Sequence, residues 1–230
     1  MKIEDLIDVT CFYKEPLYVA NARNIDSRGS NQPNQSDFLT ALISKHVRDV
    51  LIDALGAKVF NQLVEALKND NLELAKNAKF KKLINGETYE KSNKTYIFDG
   101  LKGYNKDSLL AYFVYCQYLI EDTSKVSTTG AVILKNEAAE SVNTTDKYVN
   151  AWQEFKRMYQ GGIEPDNAPR VIINGFGSVG LDYYGTEGQT NVSLLQYLLD
   201  INEIREEAEK FSEFQFKYIT LEESYNSFGF

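Results

Sequence analysis

At 230 residues, 43% of them hydrophobic, the chain is long enough to bury one sizeable core, which excludes disorder throughout. Its net charge is −8, and its 25 Lys and Arg are scattered singly or in pairs, so no basic stripe exists to displace counterions from phosphates, which argues against tight nucleic-acid binding though not against DNA passing near an acidic wall. The aromatic content is lopsided, with 15 Tyr and 13 Phe against one Trp, and Tyr joins a large apolar area to a polar tip, which suits contact surfaces.

Residues 1–36 hold short apolar runs (Cys11 to Tyr13, Leu17 to Ala20) and end in RNIDSRGSNQPNQS, whose Asn, Gln, Ser, Gly and Pro favour turns. They are expected to form an N-terminal arm. No long apolar run opens the chain, and no stretch approaches the roughly 20 residues of a membrane span, so a reducing, cytoplasm-like setting is expected. From Ser36, the expected N-cap, apolar residues at Phe38, Leu39, Leu42, Ile43, Val47, Val50, Leu51, Ala54 and Leu55 mark one helical face. Gly56 interrupts the pattern and Val59, Phe60, Leu63, Val64 and Leu67 resume it, which predicts two helices meeting at a kink or tight corner.

A short helical piece ending near Leu83 and Ile84 then meets the Asn85-Gly86 and Ser92-Asn93 pairs. These punctuate β-prone Tyr89, Thr95, Tyr96 and Ile97, and predict a hairpin at about 85–100. From about Lys106 to Glu121 the next helix is apolar or aromatic at every position between Leu109 and Ile120 except Ala111 and Gln117. A helix with no continuous polar face belongs in the centre of a core. A Thr/Ser/Asn/Glu-rich stretch follows, whose short β-prone run at Ala131 to Leu134 is expected as an exposed strand. A fourth helix, starting near Thr144 or Thr145, carries Tyr148, Val149, Trp152, Phe155, Met158 and Tyr159 on one face and stops at Gly161-Gly162. Residues 163–190 read as extended, glycine-rich chain. A last amphipathic helix at about 192–210 carries Leu194, Leu195, Leu198, Ile201 and Ile204. The expected fold is thus mainly α: a bundle of four to five helices with a β-hairpin insertion and long extended N- and C-terminal arms. The arms span residues 1–36 and 163–230 around a core domain at 37–162.

Catalytic and ligand-binding patterns are sparse. Gly175, Gly177 and Gly180 spell GxGxxG after the strand-like Val171 to Asn174, but LDYYGTEG beyond cannot open the helix that a pyrophosphate site needs. This leaves a nucleotide-binding enzyme as an alternative reading. His46 is the lone histidine and falls among the apolar positions of the first helix, so a metal set or a triad lacks its parts. Cys11 and Cys116 form no CxxC pair. Glu203, Glu206, Glu207 and Glu209 alternate with Arg205 and Lys210 as a solvated face would. No cofactor, metal or catalytic residue is assigned, and a non-enzymatic role is expected, with a monomeric adaptor binding a host protein as a further alternative.

The segment LINGETYE followed by YIFDGLKGYNKDSLLAYFVYCQYLIEDTSKVSTTGAVILKNEAAES resembles the head-to-tail connector proteins of Bacteroidetes phages and prophages, including crAss-like phages. The family's leucine-asparagine-glycine turn matches Leu83 to Gly86, and its aromatic before a Gly-Leu step matches Tyr96 to Leu101. Its aromatic helix matches Tyr112 to Tyr118, and its Thr-Gly loop Thr128 to Gly130. Upstream, LIDALGAKVFNQLVEAL at Leu51 to Leu67 is similar to the family's leucine-glycine corner. The likeness covers about residues 36–160, with an echo in the C-terminal NSFGF, and leaves out the N-terminal arm and residues 163–190. It implies a virion neck component, assembled in the bacterial host cytoplasm. The implied form is a dodecameric ring docking between portal protein and other neck or tail proteins, with DNA passing through its lumen without specific binding and no membrane involved. Tyr183, Tyr184, Phe228 and Phe230 on the arms are the expected subunit contacts.

Overall fold

The computed structural model describes residues 1–20, 22, 35–104, 107–123, 126–127, 130–131, 144–161, 184–186 and 189–219. The architecture is mainly α with a β-hairpin, as the periodicities predict. Helix α1 (Gln35–Leu67) buries Leu39, Leu42, Ile43, Val47, Val50, Leu51, Leu55, Val59 and Leu63, residues three or four apart that share one face. It begins one residue before the expected cap, and the Ser36 carbonyl accepts from Thr40 Oγ1 at 2.8 Å inside the first turn. Gly56 adopts φ 73°, ψ 159° and kinks the helix, a backbone region essentially closed to residues bearing a Cβ.

Helix α2 (Ala78–Asn85) ends at Gly86 (φ 84°), whose N–H donates to the Lys82 carbonyl. The next carbonyls, of Leu83 and Ile84, accept from the backbone of Leu101 (2.9 Å) and Lys102 (3.1 Å), so the chain returning from the hairpin caps the helix that precedes it. A Cβ at Gly86 would lie 2.3 Å from the Phe98 carbonyl oxygen, which is how closely the base of the hairpin approaches that helix end. Strands β1 (Glu87–Lys91) and β2 (Lys94–Phe98) pair antiparallel, with Tyr89 opposite Tyr96 and Lys91 opposite Lys94. The two-residue turn between them has positive φ at both Ser92 (52°) and Asn93 (61°), the twist that matches paired strands.

Helix α3 (Leu109–Thr123) begins after Ser108, whose hydroxyl accepts from the Ala111 N–H at 3.1 Å. It packs against α1 on one side and against α4 (Thr144–Tyr159) on the other. Nine of its residues from Leu109 to Leu119 are buried, so the aromatic helix is the central one. Short strands β3 (Val126–Ser127) and β4 (Gly130–Ala131) pair after it. Residues 132–134, the rest of the expected strand, lie outside the described residues.

Three expectations are corrected. Residues 1–20, read as an arm, contribute Leu6, Ile7, Phe12, Leu17 and Val19 to the same core as the helices, because their short apolar runs fold into 3-10 turns against α1 and α3. The segment read only as extended chain before the last helix supplies β5 (Tyr184–Thr186) and β6 (Gln189–Asn191). Strand β6 runs parallel to β2, giving a sheet of order β1-β2-β6-β5. The last helix, α5, is Leu194–Ile204 and stops six residues early. Arg205 is extended (φ −98°, ψ 161°), and this turns the chain so that Phe211 reaches the ring of Phe80 at 5.9 Å.

Candidate assembly interface

The hairpin is held to α5 by a buried polar network that its sequence alternation creates. Glu87, Tyr89 and Lys91 share one face of β1, and that face meets α5. Asp200, 1% exposed, accepts from the Tyr89 hydroxyl (2.6 Å), the Lys91 ammonium (2.7 Å) and the Gln196 side-chain amide (2.7 Å). Glu87 accepts from the Tyr197 hydroxyl (2.8 Å) and from Arg205 Nη2 (3.1 Å). Burial, reinforced by these carboxylates, holds the Tyr89 and Tyr197 phenols far above their ordinary range, so both stay protonated donors. The Asp200 and Glu203 carboxylates raise Lys91 as well and keep it charged. Phe98 stacks on Tyr197 with centroids 4.1 Å apart, and Tyr89 on Tyr96 at 5.6 Å.

With its inner face locked in this way, the hairpin turns an edge outward. Lys91 and Lys94 close the two-residue turn as a hydrogen-bonded pair, so antiparallel alternation aims the backbone groups of Thr88 and Glu90 away from β2. On β2 the same alternation aims Ile97 toward β6, where its carbonyl accepts from the Val192 N–H at 2.9 Å. Among the described residues no strand pairs with the outer edge of β1. The side chains of Thr88 and Glu90 are exposed there, with Thr95 and Ile97 half-buried beside them.

A second feature is a groove that holds extended chain. The kink at Gly56 removes the next helical N–H groups from reach of the Asp53 and Leu55 carbonyls, and the C-terminal segment replaces them. Lys217 N–H donates to Asp53 at 2.8 Å and Gln215 N–H to Leu55 at 3.2 Å, alternate residues facing the helix as in a strand. Further along, the Gln160 side-chain amide, wholly buried, pairs with Ile219 in both directions, accepting from its N–H (2.7 Å) and donating to its carbonyl (3.3 Å). Asn202 grips Phe211 in the same two-way fashion at 2.6 and 3.3 Å. These carboxamides were not singled out in the sequence. Nothing local marks them, because a Gln just past α4 and an Asn on α5 read as ordinary solvated residues.

Of the expected contact residues, Tyr184 lies on β5, and Tyr183, Phe228 and Phe230 lie outside the described residues. So do Gly175, Gly177 and Gly180. His46 is in the core, 8% exposed, its Nε2 3.6 Å from Glu121 Oε1 and its ring edge-on to Phe113 at 6.1 Å. Burial, then the charge of Lys45, lowers its pKa. Cys116 is fully buried and its thiol is pushed well up by desolvation, which leaves it a small core hydrophobe. Glu203, Glu206 and Glu207 are exposed, as a solvated face is; Glu203 also pairs with Lys91, and the half-buried Glu209 with Lys82 and Arg205. Asp99 and Asp107 flank a shallow depression near Met158 and Val192, where burial and then the Asp107 charge raise the Asp99 carboxyl. Among the described residues no three His, Cys, Asp or Glu side chains converge as a metal set, and no helix is long and apolar enough to cross a membrane.

A family model described as "Family of unknown function (DUF6712)" matches residues 51–159, from the middle of α1 to the end of α4. No curated protein and no solved structure matches the chain.

Proposed function

We propose that the chain is a structural subunit of a phage neck. In this reading it is a head-to-tail connector that assembles with copies of itself into a ring between portal and tail and forms part of the DNA conduit. The observation that carries the reading is the outer edge of β1, which no strand among the described residues covers, on a hairpin braced through Asp200 and Glu87. A rigid edge with outward N–H and C=O groups is a template for strand addition by a neighbouring subunit. The sequence resemblance over residues 36–160 supports the same assignment. An acidic chain without a basic stripe suits a lumen through which DNA must slide without sticking.

Mass measurement and negative-stain imaging of the purified chain, alone and mixed with portal protein, test this. Rings alone, or rings formed only on portal, are the expected results. A chain that stays a strict monomer and never joins portal or tail overturns the proposal.

A further inference from the structure

We propose that residues 214–219 are an exchangeable strap, and that in the assembled state the groove on α1 and α4 is filled by the strap of a neighbouring copy. The proposal rests on the reading of the chain as a self-assembling subunit, though not on which assembly it joins.

Three observations lead to it. First, most of the polar links that seat the strap run through its backbone: Gln215 to Leu55, Lys217 to Asp53, the Tyr159 hydroxyl to the Lys217 carbonyl (3.1 Å), and the two-way pairing of Gln160 with Ile219, with one exposed side-chain pair, Lys217 to Asp53, beside them. Side chains add Ile219, buried, and the Phe216 ring 4.5 Å from Tyr159. A second copy offers the same backbone and the same rings, so the groove accepts either strap with the same contacts.

Second, a hinge stands at the right place. Ser212 and Glu213 are exposed and form a tight turn closed by the Phe214 N–H on the Phe211 carbonyl at 2.9 Å. Opening that turn frees the strap from the chain before it, and a short hinge of this kind is the usual element lost in domain swapping. Third, the two sides of the hinge are anchored on different elements. Phe211 is gripped by Asn202 on α5 and packs on Phe80 of α2, whereas the strap lies on α1 and the end of α4. Upstream chain therefore stays in place when the strap leaves. The Lys58–Glu213 and Lys217–Asp53 ion pairs that span the junction are exposed and hold it weakly. In a ring the neighbour's groove is at high effective concentration, which favours exchange without any new contact.

The test uses two full-length variants in a Cys11→Ala background, one carrying Asp53→Cys and the other Lys217→Cys. Both positions are about half exposed, and Cys116 stays buried away from reagent. The two chains are co-expressed, concentrated to the point where the mass shows assembly, and coupled with a short bismaleimide. Exchange predicts a cross-linked heterodimer of the two variants, absent from either variant alone. It also predicts ladders of linked chains from the double variant Asp53→Cys/Lys217→Cys. If the double variant links only within one chain while the mass shows assembled rings, strap exchange is overturned and the assembly reading stands. If the sample stays monomeric with internal links alone, and does so again when portal protein is added, both are overturned.

Discussion

Replacing Gly56 by Ala perturbs the kink and the groove together. The Gly56 backbone angles, φ 73° and ψ 159°, lie where a Cβ costs about 1–3 kcal/mol. The added methyl would sit 2.8 Å from Gln215 Cβ and 3.0 Å from its backbone nitrogen, so the strap must lift. Lifting it forfeits the Gln215–Leu55 and Lys217–Asp53 hydrogen bonds, each worth roughly 0.5–1.5 kcal/mol net. Against this, Ala restricts the unfolded chain and regains about 0.5–1 kcal/mol. The balance is a loss of about 1–5 kcal/mol, centred on about 3 kcal/mol, which at this chain length lowers the melting midpoint by roughly 6–12 °C at that centre. Scanning calorimetry reads the midpoint, and amide hydrogen exchange reads the strap, where the Gln215 and Lys217 amides should lose protection before those of α3. An Ala variant with an unchanged midpoint and unchanged protection at those two amides would refute the account of the kink as a strap-binding device.

Three further outcomes follow from the same structure. Asp200→Asn keeps the shape but turns one acceptor into a donor among Tyr89, Lys91 and Gln196, so urea unfolding should show a loss of about 1–3 kcal/mol; wild-type stability would mean the network is not the brace of the hairpin. The double change Ser92→Asn and Asn93→Gly supplies the pair preferred where both turn residues have positive φ. It should raise stability by roughly 0.5–1 kcal/mol in the same assay. The pH dependence of His46 has a definite sign. Its folded pKa lies below the ordinary 6.5, so below about pH 6.5 the unfolded chain takes up the proton first, and stability falls with pH until the folded imidazole is also protonated. His46→Gln should therefore lose less stability than the wild type between about pH 7.5 and about pH 5.5, compared at equal denaturant; parallel curves would exclude this role.

Much of the helical skeleton was legible in the residue order. The 3.6-residue spacing of α1 and α4, the interruption at Gly56, the all-round apolar character of α3 and the turn pairs around the hairpin each depend on neighbours within a few positions. Local spacing is enough to reveal them. What was misread depended on distant partners. Residues 1–20 carry apolar runs too short to declare a helix, and they are core only because α1 and α3 offer them a surface. Helix α5 looked longer than it is because Glu206 to Lys210 suit a helix, while Arg205 leaves it for Glu87, 118 positions away.

The candidate interface divides along the same line. A hairpin with alternating residues is written in Glu87 to Phe98, and so is the fact that one of its faces must be buried. Which hairpin strand remains an edge among the described residues was decided by β6, a three-residue segment after Gly188 that is too short to declare its partner and that lies alongside β2. Asp200, Asn202 and Gln160 read in sequence as ordinary polar residues on or beside a helix. Only the tertiary fold makes them a buried acceptor and two clamps, because a polar group's role is set by the partner that replaces water, and here each partner is brought in from elsewhere along the chain.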